Sequence, residues 1–281
     1  MKSHFNNLIY SLFIACIIVA PAITFTSCAK SVTETTTHNL NCVTKEYKNL
    51  PSFDEICLWA GIDATYRIGT VREVVVTISE NVADRLTVKV VGNQLRMGLE
   101  NNTNVRHFRI KAVVTGPALT SVKVSSGSEF NLAETESMSM AMSTLSLSAS
   151  SGADISIKGK IDYKKVNGTA SSGADIKLAG VVADEITVAS SSGSDIDIYG
   201  ILARALSATS SSGADISLSG QVDQVSLSAS SGADISAHKL LAETGNASAS
   251  SSGDISCSIK NPTSLHHSSG GSIKNKLQDI D

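Results

Sequence analysis

Six aspartates recur at a near-constant interval: Asp154, Asp175, Asp195, Asp215, Asp234 and Asp254. Each sits in the same hexapeptide, SSGADI at Ser150–Ile155, Ser171–Ile176, Ser211–Ile216 and Ser230–Ile235, SSGSDI at Ser191–Ile196 and SSSGDI at Ser250–Ile255. A carboxylate returning every twenty residues beside a glycine is the raw material of a calcium ladder. Calcium takes six to eight oxygens, and each repeat offers one carboxylate, apart from Asp195 with Asp197. The ligand count therefore favours a structural role, in which each Asp accepts backbone or serine hydrogens at a bend.

Other reactive side chains are scattered. No serine sits in a GxSxG context or beside a patterned histidine, so serine ladders between repeats are expected rather than nucleophiles. Adjacent His266 and His267 would point to opposite faces of a strand, where one ion rarely takes both. Cys42, Cys57 and Cys257 share no CxxC spacing; Cys257 reads as a small core residue, and no disulfide is expected. Lys164-Lys165 reads as a solvated turn, and the sole tryptophan, Trp59, as packing under the first repeats. No catalytic, cofactor or metal site is expected.

The elements that hold these residues follow from parity. Leu145, Leu147, Ala149, Ser151, Ala153, Ile155 and Ile157 share one face at period two, with Ser146, Ser148, Ser150, Gly152, Asp154 and Ser156 on the other. That is a strand with one buried face. A twenty-residue strand unit cannot bury that face alone and must stack on its neighbours. An all-β parallel β-helix, or β-solenoid, of about 20-residue coils follows. The isoleucines from Ile155 to Ile255 form one internal ladder, and Ala153, Ala174, Ser194, Ala214, Ala233 and Gly253 a thinner one. Further turns are expected at Gly159, Gly180, Gly200 and Gly220. An irregular β part precedes the repeats, with strands at Glu55–Trp59, Ala64–Ile68, Glu73–Ser79, Leu86–Val91, Gln94–Leu99 and His107–Thr115. The segment Leu132–Thr144 reads as a projecting loop and Leu265–Asp281 as a cap or frayed tail.

The N-terminus reads as an address. Lys2 and His4 precede an apolar run broken by Ser11 and Pro21, short for a membrane span. It ends in Phe25-Thr26-Ser27-Cys28, which resembles the lipobox of bacterial lipoprotein leaders, although Phe25 stands where Leu or Val is usual. The expectation is a leader over residues 1–27, a lipid on Cys28, a polar tether over 28–48 and one domain over 49–281, with its repeats at 125–273. Cleavage of that kind places the chain at a cell envelope, held to the membrane. A net charge of −3 and a pI near 6.1 give no electrostatic reason to expect nucleic acid.

Phe53-Asp54-Glu55-Ile56, the strand Val74–Ile78, the hairpin closing in Asn93-Gln94-Leu95-Arg96-Met97, Pro117-Ala118-Leu119 and the Ser-Gly-x-Asp-Ile repeats resemble the head GIN domain family of auto-transporter adhesin-like Bacteroidota envelope proteins. The likeness runs from about Phe53 to Ile273; Gly116 departs from it, standing where an apolar residue is expected before Pro117. It implies a right-handed β-solenoid, an outer-membrane or other envelope location, and no established reaction. The combined expectation is a non-enzymatic module displaying a Ser/Asp-lined face to a protein or glycan. The alternatives are a β-helix carbohydrate-active enzyme, for which 4% aromatic residues leave little material, and a ligand-free spacer.

Overall fold

The structure, a computed structural model, describes residues 41–100, 107–133 and 136–277. The expected leader, Cys28 and the tether up to residue 40 lie outside these residues, as does the end of the tail, 278–281. Among the described residues no helix is long and apolar enough to cross a membrane.

The first part of the chain contributes β1 (Cys42–Lys48), β2 (Glu55–Leu58), β3 (Ile62–Ile68) and β4 (Glu73–Ser79). A 3₁₀ turn at Glu80–Arg85 leads to β5 (Leu86–Val91), β6 (Gln94–Leu99), β7 (Ile110–Gly116), β8 (Ser121–Ser125) and β9 (Glu129–Leu132). Three of these match the expected bounds. Residues 42–48, expected as tether, form β1 instead, antiparallel to β4 with Cys42 opposite Ser79 and Lys48 opposite Glu73. The alternation of Val43, Lys45 and Tyr47 is the reason: Val43 and Tyr47 lie against the core.

The repeats follow as β10 (Ser137–Ser150), β11 (Asp154–Ile157), β12 (Lys160–Ser171), β13 (Asp175–Ala179) and β14 (Val181–Ser191). They continue as β15 (Asp195–Ser211), β16 (Asp215–Ser230), β17 (Asp234–Ser250), β18 (Asp254–His267) and β19 (Ser272–Asn275). The loop expected over 132–144 is largely absorbed into β10, whose register against β12 shifts between Met140 and Thr144. Ser137, Met138, Ser139 and Met140 already alternate at period two, and Met138 is buried.

Successive coils stack in parallel to make a β-solenoid of about seven turns with three walls. The first wall carries the Asp-Ile segments in register, Asp154 on Asp175, then Asp195, Asp215, Asp234 and Asp254. The second carries the Ser/Thr-rich strand ends at 146–150, 167–171, 187–191, 207–211, 226–230 and 246–250. The third runs through 160–165, 181–185, 201–205, 220–224 and 239–244.

Ile155, Ile176, Ile196, Ile216, Ile235 and Ile255 form one dry column, each at most 2% exposed. Phe130 continues it at one end and Ile273 at the other. Full burial of each side chain is worth about 1.5–3 kcal/mol. Beyond Phe130 the core widens: its ring meets Tyr66 at 5.7 Å, and the Tyr66 hydroxyl donates to Pro117 O at 2.7 Å. This explains Gly116, where an added Cβ would stand 2.5 Å from the Tyr66 hydroxyl and 2.8 Å from the Phe53 ring. Two aromatic rings fill the space that an apolar side chain would take.

The corner between the second and first walls is a two-residue left-handed arch. Ser151 and Gly152 have φ of 56° and 66°, and Ser212 and Gly213 have 58° and 66°. The hydrogen-bond ladder continues around the bend, with Gly152 N donating to Ser172 O and Asp175 N to Ala153 O. The Ala ladder packs inside this corner, fully buried at Ala153, Ala174, Ala214 and Ala233. Of the further expected turns, Gly180, Gly200 and Gly220 have positive φ.

Candidate binding surface

The outward side chains of the first wall form a carboxylate row longer than the repeat motif implies. Glu129 stands in register with Asp154, and Asp63 with Glu129, so the row runs from Asp63 through Glu129 to Asp254. Coil spacing of about 4.8 Å brings these charges close. Burial, and then the neighbouring carboxylates, push Asp154, Asp195 and Asp234 above the usual Asp value. Relief is local. Lys177 Nζ lies 3.4 Å from Asp175, Lys111 Nζ lies 3.4 Å from Asp63, and the Asp234 carboxylate accepts a backbone hydrogen from Asp254. Of the expected backbone or serine hydrogens, one peptide N–H reaches the row, at Asp234, while Lys177 and Lys111 pair with Asp175 and Asp63. Among the described residues no group of three or more His, Cys, Asp or Glu side chains is arranged to hold a metal.

The second wall presents Ser146, Ser148 and Ser150 outward, with Asn167, Thr169 and Ser171 on the next coil and Ser226, Ser228 and Ser230 further along. Some hydroxyls bridge coils, as Ser226 Oγ does to Asn246 Oδ1 at 3.0 Å and Thr169 Oγ1 to Leu147 O at 3.4 Å. Ser190 bonds within its own coil, at 2.8 Å from Ser194 Oγ, because Ser194 occupies a buried alanine position.

The third wall is charged and ion-paired. Lys165, expected in a turn, lies in β12 and meets Glu185 on the next coil at 2.6 Å. Arg204 meets Asp184 at 3.0 Å and Lys260 meets Glu243 at 2.8 Å. Between them Leu202, 57% exposed, and Leu241 line a shallow depression of about 350 Å³ with Gln221 and Asp223. His266 and His267 are both exposed on β18. No disulfide joins Cys42, Cys57 and Cys257, and burial pushes the Cys257 thiol up to about 11.

Trp59 departs from expectation. It does not pack beneath the coils but lies on the outer surface of the second wall, half-buried, across Gly98 of the neighbouring strand. Its Nε1 donates to Leu99 O at 2.8 Å, and the Arg96 guanidinium stands 5.9 Å from the ring centroid.

The comparisons with known proteins agree with this architecture. The family model described as "Putative auto-transporter adhesin, head GIN domain" matches twice, over residues 52–204 and 169–277. The two matches overlap, as stacked repeats allow. A crystal structure of a putative adhesin from Parabacteroides distasonis shares 17% identity at a TM-score of 0.72, covering 84% of this chain and 98% of that one. One from Parabacteroides merdae shares 16% at 0.69, covering 84% and 97%. One from Bacteroides fragilis shares 19% at 0.61, again covering 84% and 97%. At these identities the structures speak for the fold. No curated protein sequence matches the chain. With the model covering the three-walled solenoid from its first coil to its last, this chain belongs to the head GIN domain family of auto-transporter adhesin-like proteins.

Proposed function

We propose that this protein is a non-enzymatic, lipid-anchored component of the cell envelope, held at the outer membrane through Cys28, and that it binds a protein or glycan on its Ser/Asp-lined faces. The hydroxyl wall carries the reading. Its outward side chains repeat at about 4.8 Å between coils and about 6.8 Å along each strand. Short serine and threonine side chains lose little rotamer freedom when a partner docks, and they offer both donors and acceptors. A lattice of that kind suits an extended partner whose own polar groups repeat. The adhesin description of the family supports a binding role.

Polysaccharide lyases and hydrolases built on β-helices need clustered acids with a base or a metal beside them. The carboxylates of this row are instead spread along the solenoid, one to a coil apart from Asp195 with Asp197. Fold alone licenses no function, so the site's layout carries this argument. The anchor rests on the small residue before Cys28 and the polar stretch after it; several acyl chains on one cysteine hold firmly, at about 0.8 kcal/mol per buried methylene.

Two measurements test the proposal. Cys28→Ala should move the protein from the membrane fraction to the soluble one. A glycan and protein array, run with a reducing-sugar assay, should show binding without turnover. Release of reducing ends from any polysaccharide would replace this reading with the enzymatic one, and a membrane-bound Cys28→Ala protein would remove the anchor.

A further inference from the structure

One outer column of the second wall is unlike the rest. Where the repeats carry serine and threonine, the first coils carry Lys89, Arg96, Cys57 and Lys123, in register on β5, β6, β2 and β8. Three cations therefore stand on four adjacent strands, about 4.8 Å apart from strand to strand. All three are exposed, and none of the ion pairs on the other walls involves them.

Beside this column lies a cleft of about 490 Å³, lined by Trp59, Arg96, Lys89, Thr87, Glu100 and Ser125. That volume is within the range of small-ligand sites. The Trp59 ring forms its floor. One face of the ring covers Gly98, where any Cβ would come within 2.0–2.4 Å of three ring atoms. Its Nε1 is tied to Leu99 O, which fixes the plane. The Arg96 guanidinium stands over the ring, 5.9 Å from its centroid, and both groups line the cleft. Gly98 thus permits a flat, immobilised aromatic platform on the outside of a β-sheet.

We propose that this cleft binds an acidic saccharide, a sugar unit bearing carboxylate or sulfate. The proposal rests on the binding role argued above and names the ligand class at a separate site. An aromatic face stacks against the C–H face of a sugar ring, and an adjacent guanidinium and ammonium pair with its anionic group. Glu100 lines the same cleft and can accept a hydrogen bond from a sugar hydroxyl, a group that a bare inorganic anion does not offer. Glu55, two residues along β2 from Cys57, is engaged by Asn93 Nδ2 and Gln94 Nε2, both at 3.2 Å.

Trp59 is the sole tryptophan of the chain, so its emission reports on the cleft alone. Oligogalacturonate and a sulfated galactan should each change that emission saturably, with weakening by salt. The fully methyl-esterified galacturonan, which keeps the ring and loses the charge, should bind at least tenfold more weakly. Arg96→Gln and Lys89→Gln, both on exposed positions, should each weaken binding about tenfold with unchanged circular dichroism. Emission unmoved by either acidic sugar would overturn the proposal, as would an equal response to poly-glutamate, which would mean charge alone. Undiminished binding of the acidic sugars by Arg96→Gln would sink this site, while array binding of neutral partners would still test the hydroxyl wall by itself.

Discussion

Asn275 closes the C-terminal end of the solenoid by standing in for a peptide group opposite Ile259. Its Oδ1 accepts from Ile259 N at 3.0 Å, and its Nδ2 donates to Ile259 O at 2.8 Å. Both ends of this exchange are buried, with Asn275 5% exposed. A solenoid ends in unpaired strand edges that invite another chain, so one amide here satisfies a donor and an acceptor that a further coil would otherwise occupy. Pro262, in the exposed part of β18, adds to the protection by offering no N–H.

Replacing Asn275 by Ala leaves both Ile259 groups without a partner, a loss of about 1–3 kcal/mol each if they stay dry. Because repeats contact only their neighbours, the effect should be local. Hydrogen exchange at the Ile259 amide should accelerate well before exchange at Ile196 or Ile216 changes. Asn275→Asp keeps the acceptor but turns a carboxylate oxygen onto Ile259 O in a buried site, and should cost at least as much as the alanine. Unchanged protection at Ile259 in the alanine variant would show that the end is held otherwise.

The SSSGDI copy breaks the frame of its siblings in a testable way. In the five other copies the second arch residue is glycine, but here Ser251 and Ser252 take φ of 48° and 62°, and Gly253 slips into the buried alanine position. A left-handed backbone costs a non-glycine residue roughly 1–2 kcal/mol, partly returned by the smaller entropy that it loses on folding. Ser252→Gly should therefore stabilise by about 0.5–1 kcal/mol, read as a higher urea midpoint. The same change at Ser258, in an extended strand, should lower it.

The inner face of the repeats was legible because parity and period act together: Ile196 recurs every twenty residues and always falls on the buried side. The outer face was not. Lys89 and Arg96 face each other across the β5–β6 hairpin, seven residues apart, but Lys123 joins them only because β2 inserts in parallel between β6 and β8. No local pattern announces that pairing. Asp63 joins the carboxylate row for the same reason, through β3 and β9, whereas Glu129 stands in SSGSEF at Ser125–Phe130, a looser version of the repeated hexapeptide. Trp59 was misplaced because the sequence does not say that Gly98 lies beside it. The strand at Cys42–Lys48 was missed for a different cause: a short alternation amid polar residues looks like tether until β4 supplies a partner.

Ile196 sits at the middle of the buried column, with Ile176 on one side and Ile216 on the other. Ile196→Asp would bury a charge with no partner and should cost several kcal/mol. Since the ladder is continuous, the damage should split the solenoid rather than loosen one coil. Proteolysis should then cut near the mutation and leave the N-terminal coils protected. Asp197→Asn, one residue along and facing outward, should change the urea midpoint little. Equal behaviour of the two variants would contradict the stacked column.

The carboxylate row sets a pH dependence whose sign is the reverse of ordinary acid denaturation. Asp195 is raised above its usual value by burial first, then by Asp175, Asp215 and Asp197, with Lys177 acting the other way. A folded value above the unfolded one means that the native state binds more protons between the two. Stability from this residue is then present at low pH and is lost as pH rises through the folded value. At pH 7 the ionised Asp195 works against the fold, and Asp195→Asn should raise the urea midpoint. The gain should shrink as pH falls through the raised folded value toward the ordinary Asp value, as Asp195 takes up its proton, and in high salt, which screens exposed charges. Calcium offers the decisive control: a row that held the ion would make Asp195→Asn the less stable protein whenever calcium is present, whereas a row of mutually repelling carboxylates keeps the variant ahead with or without it.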